Sequence, residues 1–190
     1  QVLTSLFGVD ADKWGLKNQF KGKKHDLFFS GVLQNPTWPN EDQAMRIAIE
    51  GLLFHKVGRI RFTPKYNNIF WNAFTGSSII DFLNRYKRLD SDDYLEQMGK
   101  SFVVPVTLSM GIISPRIFEA LACGAVPLVD NSKVYNKINN LEKHVVFFDR
   151  NLKNFLSRWN EAISLSKEHQ TFKKNREFVL DNHSLNCRFI

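Results

Sequence analysis

The feature of this sequence that most restricts its fold is the alternation of short apolar runs with segments of helical spacing. Runs that predict buried strands lie at residues 25–31, 59–63, 101–108, 126–129 and 143–149. One helical segment separates the first two runs, which is the length of a βαβ crossover between parallel strands. We therefore expect a three-layer α/β/α fold with a mainly parallel sheet that is covered on both faces.

Helical spacing and end signals predict the elements between these strands. Residues 40–58 have apolar positions at 45, 48, 49, 52 and 53, with acidic residues at the start and Gly58 at the end. Further helices are predicted at 77–89, 91–100, 114–124, 131–140, 151–169 and 172–182. Pro105 is predicted to interrupt the strand at 101–108. Residues 1–24 lack a steady period and end in lysines, so they predict a linker before a domain at 25–190.

The charge balance of the chain favours anionic partners. Its 190 residues include 26 basic and 19 acidic side chains, a formal net charge of +7, and such a surface attracts phosphorylated molecules, nucleic acid or acidic membranes. Two cysteines are too few for a disulfide framework, and no apolar stretch approaches the roughly 20 residues that span a bilayer. We expect a cytoplasmic location, with the membrane surface as an alternative.

The segment SPRIFEALACGAVPLVD carries the signals of a helix that runs into a buried strand. Ser114 suits the N-cap, Pro115 the first helical position, and Gly124 the first position beyond the C-cap. Ligands of open parallel sheets bind beyond the carboxyl ends of the strands, where the start of this helix is expected to lie.

Two residues in this helix, Arg116 and Glu119, have the chemistry of a ligand site. Arg116 can bind a phosphate through its planar fork, and Glu119 can accept two hydrogen bonds from a vicinal diol such as ribose. The alternative is a solvated helical pair of the two charges, which stabilises a helix by a few tenths of a kcal/mol. The residue pattern alone leaves both interpretations open.

The same segment resembles a block of GT-B glycosyltransferases, above all the spore-maturation-type and group 1 enzymes and less closely the exostosins. In these enzymes Ser-x-Arg-x-Phe-Glu-Ala precedes a small-residue helix end and a strand. The stretches LFGVDADKW, KKHDLFFSGVL, HVVFFDRNLKNFLSRW and DNHSLNCRFI resemble other parts of their C-terminal domain, so the resemblance covers nearly the whole chain. It implies a Rossmann-like fold that forms one half of a GT-B enzyme.

The resemblance also implies a function and a set of donor-binding residues. The activity is transfer of a hexosyl or related group from a nucleotide sugar to a glycan or other hydroxyl acceptor, without an obligatory metal or other cofactor. By resemblance, Glu119 binds the ribose, Arg116 and the backbone near Ser114 meet the diphosphate, and a glycine turn at Gly31 lets the backbone approach the phosphates. The N-terminal Rossmann-like domain that supplies the acceptor site is expected to be missing from this chain.

Two departures from the family pattern bear on the mechanism. Gly111 stands eight positions before Glu119, where many retaining members have a second Glu, so neither the stereochemistry nor a catalytic residue is assigned. The basic residue that often follows the first glycine turn is also missing from GVLQNP. Arg59, Arg61 and Lys65, near the end of the second predicted strand, are the expected replacements as phosphate contacts.

Three other functions compete with this interpretation. Asp90 and Asp92 match the Asp-x-Asp metal site of GT-A glycosyltransferases, but they follow a polar helical segment, which favours a helix start over a metal site. Nucleic-acid binding through the basic and aromatic stretch RIRFTPKYNNIFW ranks low, because most aromatic residues lie in core-like runs and no nucleic-acid module motif is present. A domain that binds a nucleotide sugar without catalysis is the third.

Overall fold

The computed structural model describes residues 23–29, 45, 48–49, 91–108 and 113–183. The described strands are β1 (His25–Leu27), β2 (Ser101–Val106), β3 (Val126–Asp130) and β4 (Val146–Phe148). The helices described with full bounds are α1 (Ser91–Gly99), α2 (Arg116–Ala122), α3 (Phe155–Ser166) and α4 (His169–His183). Two short 3-10 helices, Lys133–Lys137 and Leu141–Lys143, lie between β3 and β4.

The four described strands form one sheet in the order β1, β2, β3, β4, and every neighbouring pair is parallel. The register places Leu27 beside Val103 and Val129 beside Phe147. Because parallel strands run in one direction, their carboxyl ends meet at the same edge of the sheet. The predicted parallel α/β sheet is confirmed.

Helices cover both faces of this sheet. Alternate strand residues point to opposite faces, so Val104, Val106 and Val129 pack with α1, α2 and α4, whereas Val103 and Leu128 pack with α3. The second face is also covered by Met45 and Ile49, which lie in helical backbone and are buried, while Ala48 is exposed at the edge of that apolar stripe. The described elements thus form the three layers that the apolar runs predict.

Pro105 affects only one side of β2, which corrects the prediction of an interrupted strand. β2 continues through Pro105, whose register partner on β3 is Leu128. On the other side, Phe28 N donates to the Val103 carbonyl at 2.9 Å, so the nitrogen of Pro105 also faces β1. Proline has no N–H to donate to β1, and the register pairing of the two strands ends at Leu27 and Val103, before Pro105 is reached.

The remaining predictions divide between confirmation and residues outside the description. The strands at 25–31, 126–129 and 143–149 are confirmed, as are the helices at 91–100, 151–169 and 172–182. The small helix predicted within 131–140 is present as the 3-10 helix Lys133–Lys137, which ends at extended Ile138. Predictions at 59–63 and 77–89 lie outside the described residues, as does the linker before residue 23.

At the amino edge of the sheet, the Lys23 side chain connects its own segment to two others by hydrogen bonds. Its Nζ donates to the carbonyls of Ser101 (2.7 Å) and Gly124 (2.8 Å), where β2 and β3 begin. Burial lowers the pKa of Lys23 from 10.5 to about 8, and Cys123 partly offsets that effect. A neutral amine still has two N–H donors, enough for both carbonyls.

We expect the free energy of unfolding to rise between pH 8 and pH 10 through Lys23. The unfolded chain binds the lysine proton up to pH 10.5 and the folded chain only to about 8, so higher pH favours the folded state in that window. Urea unfolding of Lys23→Met between pH 7 and pH 10 should show a flatter profile than wild type. The exposed neighbour Lys24 is the control, and a Lys24→Met variant should keep the slope.

Candidate functional site

The start of α2 lies directly after the loop that leaves the carboxyl end of β2. Pro115 already has helical backbone angles (φ −58°, ψ −22°), although the helix is bounded at Arg116. Ser114 precedes it, with Oγ accepting from Arg116 N at 3.4 Å and its carbonyl accepting from Ile117 N at 3.2 Å. The N-cap is Pro115, without a side-chain cap, so the prediction of Ser114 as the N-cap and Pro115 as the first helical position is wrong by one residue.

The end of α2 turns the chain into β3 through Gly124. Gly124 has φ +75°, its N–H donates to the Leu121 carbonyl at 3.0 Å, and Ala125 N donates to the Ala120 carbonyl at 2.9 Å. This pair of bonds is the Schellman motif, which uses glycine because left-handed backbone strains residues with a Cβ. The predicted position of Gly124 beyond the C-cap is confirmed.

The hydroxyl of Tyr94 lies between the two charged residues of α2. It accepts a hydrogen bond from Arg116 Nε at 3.2 Å and donates one to Glu119 Oε2 at 3.1 Å. In the described part of the chain, the Arg116 guanidinium and the Glu119 carboxylate form no other hydrogen bond, and they form no direct ion pair with each other. A third side chain from another helix therefore holds the two charges, in contrast to a simple solvated pair.

This trio stands at the carboxyl edge of the sheet. α2 begins after β2, so Arg116 in its first turn lies at the edge where the strands end. α1 ends one residue before β2 begins, so its own start, with Tyr94, lies at the same edge. The ring of Tyr94 packs edge-on against Phe28, the residue after β1, with centroids 5.6 Å apart. The trio thus lies beside the carboxyl ends of β1 and β2, at the edge where open α/β sheets bind ligands.

The electrostatics of the trio follow from partial burial. Burial raises the pKa of Glu119, while Arg116 and the Tyr94 hydrogen bond oppose that rise. Burial also raises the pKa of Tyr94 to about 12, so its hydroxyl stays protonated and donates at neutral pH. Within the described residues, Oε1 of Glu119 and Nη1 and Nη2 of Arg116 form no hydrogen bond, so these atoms can contact a ligand.

A second polar group at this edge, Asp130 at the end of β3, is completely buried. Its Oδ1 accepts from Leu108 N at 2.7 Å and from the Tyr135 hydroxyl at 3.3 Å, and its Oδ2 lies 3.8 Å from Arg150 Nε. Asp130 thereby holds the backbone that leaves β2 toward Ser114.

The structure brings together three of the residues predicted to bind the donor, Ser114, Arg116 and Glu119. Asp92 is exposed in the first turn of α1, which agrees with a helix start and not with the end of a strand. Among the described residues no group of three or more His, Cys, Asp or Glu is arranged to hold a metal ion. The other predicted site residues lie outside the description: Gly31, Arg59, Arg61, Lys65 and Asp90.

Two residues of the site were not predicted from the sequence. For Tyr94, nothing in the spacing of the helix at 91–100 marks a hydroxyl shared between two charges. Asp130 did leave a signal, because a carboxylate that closes the apolar run VPLV is unusual in a buried strand.

Comparison with known proteins places this chain in a family. The family model described as glycosyl transferase-like matches residues 43–189, most of the chain. The chain belongs to this glycosyl transferase-like family. No curated protein matches its sequence, so the family model and the solved structures carry the comparison.

A solved glycosyltransferase structure shares the fold. The crystal structure of AviGT4, "a glycosyltransferase involved in Avilamycin A biosynthesis", matches with a TM-score of 0.55 and 12% identity over 90% of this chain and 51% of that one. An α1,3-fucosyltransferase crystal structure matches with a TM-score of 0.46 and 15% identity over 81% of this chain and 37% of that one. The chain thus spans between about a third and a half of these proteins.

The glycosyl transferase-like chain has the Rossmann-like α/β fold of one GT-B half, which confirms the resemblance seen in its sequence. The described helices include none with the length and apolarity needed to cross a membrane.

Proposed function

We propose that this chain is the donor-binding half of a GT-B glycosyltransferase and that it holds a nucleotide sugar at the carboxyl edge of its sheet. The observation that carries the proposal is the Tyr94 hydroxyl, which fixes Arg116 and Glu119 side by side where α2 begins. One group is a fork for phosphate and the other is an acceptor for a diol. A nucleoside diphosphate has both partners, linked by a few covalent bonds.

The proposed chemistry is transfer of the sugar to a hydroxyl of a glycan or similar acceptor. As the bond from the anomeric carbon to the phosphate oxygen breaks, negative charge grows on the departing nucleoside diphosphate. Arg116 is already positioned to stabilise this charge, so little reorganisation is needed during the reaction. Glu119 holds the ribose and keeps the diphosphate near Arg116.

The rest of the enzyme is also part of the proposal. The acceptor site belongs to a further Rossmann-like domain, consistent with the chain matching only part of the glycosyltransferases of known structure. We further propose a domain at 25–190 after a linker at 1–24, Gly31 as a phosphate approach, and Arg59, Arg61 and Lys65 as phosphate contacts. We also propose a cytoplasmic location and a transfer reaction that has no obligatory metal.

We expect Arg116→Ala to weaken binding of a nucleoside diphosphate about 10- to 100-fold, because a hydrogen bond to a charged group contributes roughly 1.5–3 kcal/mol. Calorimetric titration with UDP, GDP and ADP and with their sugars measures the effect. Glu119→Ala should weaken nucleotide binding as well but leave binding of inorganic pyrophosphate close to wild type, since it contacts the ribose.

The chain offers a matched control in α3. Arg158 and Glu161 have the same spacing as Arg116 and Glu119, and Arg158 Nη1 contacts Glu161 Oε2 at 2.6 Å, but this pair is exposed. Arg158→Ala should bind as wild type does. If wild type binds no nucleotide, or if Arg116→Ala binds as well as Arg158→Ala, the proposed site is wrong. Titrations with and without Mn²⁺ test the metal, because a strict requirement would favour Asp90 and Asp92.

A further inference from the structure

Tyr94, which joins Arg116 and Glu119, has no contact of its own with the ligand in the proposed function. Tyr94 reaches the site from α1, and its ring is held against Phe28 while Leu95 and Met98 of the same helix are buried in the core. The ring is therefore anchored independently of α2. A tyrosine hydroxyl has one proton and two lone pairs, so it can donate to a carboxylate and accept from a guanidinium at once.

This arrangement separates charges that would otherwise pair. Residues of opposite charge at i and i+3 of a helix are neighbours and attract each other directly. Here the Tyr94 hydroxyl instead forms hydrogen bonds with Nε of Arg116 and Oε2 of Glu119. The fork nitrogens of Arg116 and the second oxygen of Glu119 are thereby kept for separate parts of a ligand.

We propose that Tyr94 is a positioning residue that orients the Glu119 carboxylate toward a ribose diol and so determines discrimination between ribonucleotides and 2′-deoxyribonucleotides. The inference rests on the proposed nucleotide-sugar site and adds to it a residue and a specificity. A carboxylate held by one oxygen presents the other in a fixed direction, so the 2′-hydroxyl is recognised by geometry as well as by charge. Preorganisation of this kind strengthens a hydrogen bond because less freedom is lost on binding.

The hydrogen bond between Tyr94 and Glu119 also determines the pH range over which the site discriminates ribonucleotides from 2′-deoxyribonucleotides. Among the described residues, the titratable and charged groups that face Glu119 are Arg116 on its own helix and the neutral Tyr94 hydroxyl from α1, and α4 brings His183 onto the neighbouring Phe118 ring. Removing the Tyr94 hydroxyl removes a hydrogen bond that lowers the pKa of Glu119, so that pKa rises further. Since only the carboxylate accepts both ribose hydroxyls, discrimination is then lost at a higher pH than in wild type.

Tyr94→Phe tests the inference, because it keeps the ring on Phe28 and removes only the hydroxyl. The probes are UDP, GDP and ADP with their 2′-deoxy forms, titrated from pH 5 to pH 8 on the full chain. For the nucleotide that wild type binds, we expect Tyr94→Phe to lower the ratio of ribo to 2′-deoxy affinity about tenfold and to move its acid limit upward. Glu119→Gln should lower the ratio similarly, and adding Tyr94→Phe to it should have little further effect.

Ser166→Ala is the control for loss of a hydroxyl elsewhere. Ser166 is buried on the other face of the sheet, where its Oγ donates to the Ile163 carbonyl at 2.7 Å, and the variant should keep both the ratio and the pH profile. If wild type binds a ribonucleotide and Tyr94→Phe keeps its discrimination, the role of Tyr94 is refuted while the site stands. If wild type binds none of the nucleotides, the proposed function fails and this inference fails with it.

Discussion

Replacing Gly124 with alanine is expected to lower the free energy of unfolding by about 3 kcal/mol. Two causes add: a side chain in left-handed backbone costs roughly 1–2 kcal/mol, and crowding in a packed region costs roughly 1–3 kcal/mol. Gly124 has φ +75°, and a Cβ built there would come within 1.9 Å of the Phe172 ring. The Phe172 ring would therefore have to move to make room for the added Cβ.

Urea unfolding of Gly124→Ala measures the total, and a second variant separates the two causes. Phe172→Ala removes the obstructing ring of α4, so the double variant should recover the crowding cost but not the backbone cost. In a double-mutant cycle this appears as a coupling of about 1–2 kcal/mol. Equal stabilities of Gly124→Ala and wild type would show that the turn adopts another conformation.

The apolar pattern was sufficient to predict the sheet, because parallel strands buried on both faces are continuous apolar runs. The runs that became β1, β3 and β4 contain Leu27, Leu128 and Val146, all buried. The ends of α2 were predictable to within one residue for a different reason. Ser114, Pro115 and Gly124 each satisfy a local requirement of backbone geometry, and local requirements are visible in sequence.

Several boundaries depended on conformations that apolar periodicity does not report. The helix predicted from residue 151 begins only at Phe155, since Leu152 has φ +62° and the Asn154 side chain accepts from Asp149 N at 2.8 Å. The helix within 131–140 is short because Ile138 adopts extended backbone after Lys137, and left-handed Asn140 precedes the next 3-10 helix. In both segments, the backbone conformation of a single residue determines where the element begins or ends.

The site was predictable only in part, for the opposite reason. Arg116 and Glu119 stood out because their spacing and chemistry lie within one helix. Tyr94 did not, because its role exists only when α1 and α2 lie on the same face of the sheet. A residue pattern shows which charges share a helix face, but a hydroxyl contributed by another helix is a property of the tertiary structure.

Asp130→Ala is the other change with a large expected effect, a loss of about 3–5 kcal/mol in the free energy of unfolding. Removing one member of a buried polar group leaves its partners without compensation. Here those partners include the Leu108 N–H and the Tyr135 hydroxyl. Asp130→Asn keeps an oxygen acceptor for Leu108 and should lose only about 1 kcal/mol.

Thermal and urea unfolding of the two Asp130 variants distinguish an acceptor from a charge. If the tether to Leu108 dominates, Asp130→Asn stays close to wild type and Asp130→Ala does not. If attraction to the half-exposed Arg150 dominates, Asn is as harmful as Ala and Arg150→Gln reproduces the loss. We expect the first result, because the 2.7 Å bond to a buried N–H has no water to replace it, whereas Arg150 can turn to solvent. The carboxylate would then act on the site through the loop it anchors, ahead of Ser114.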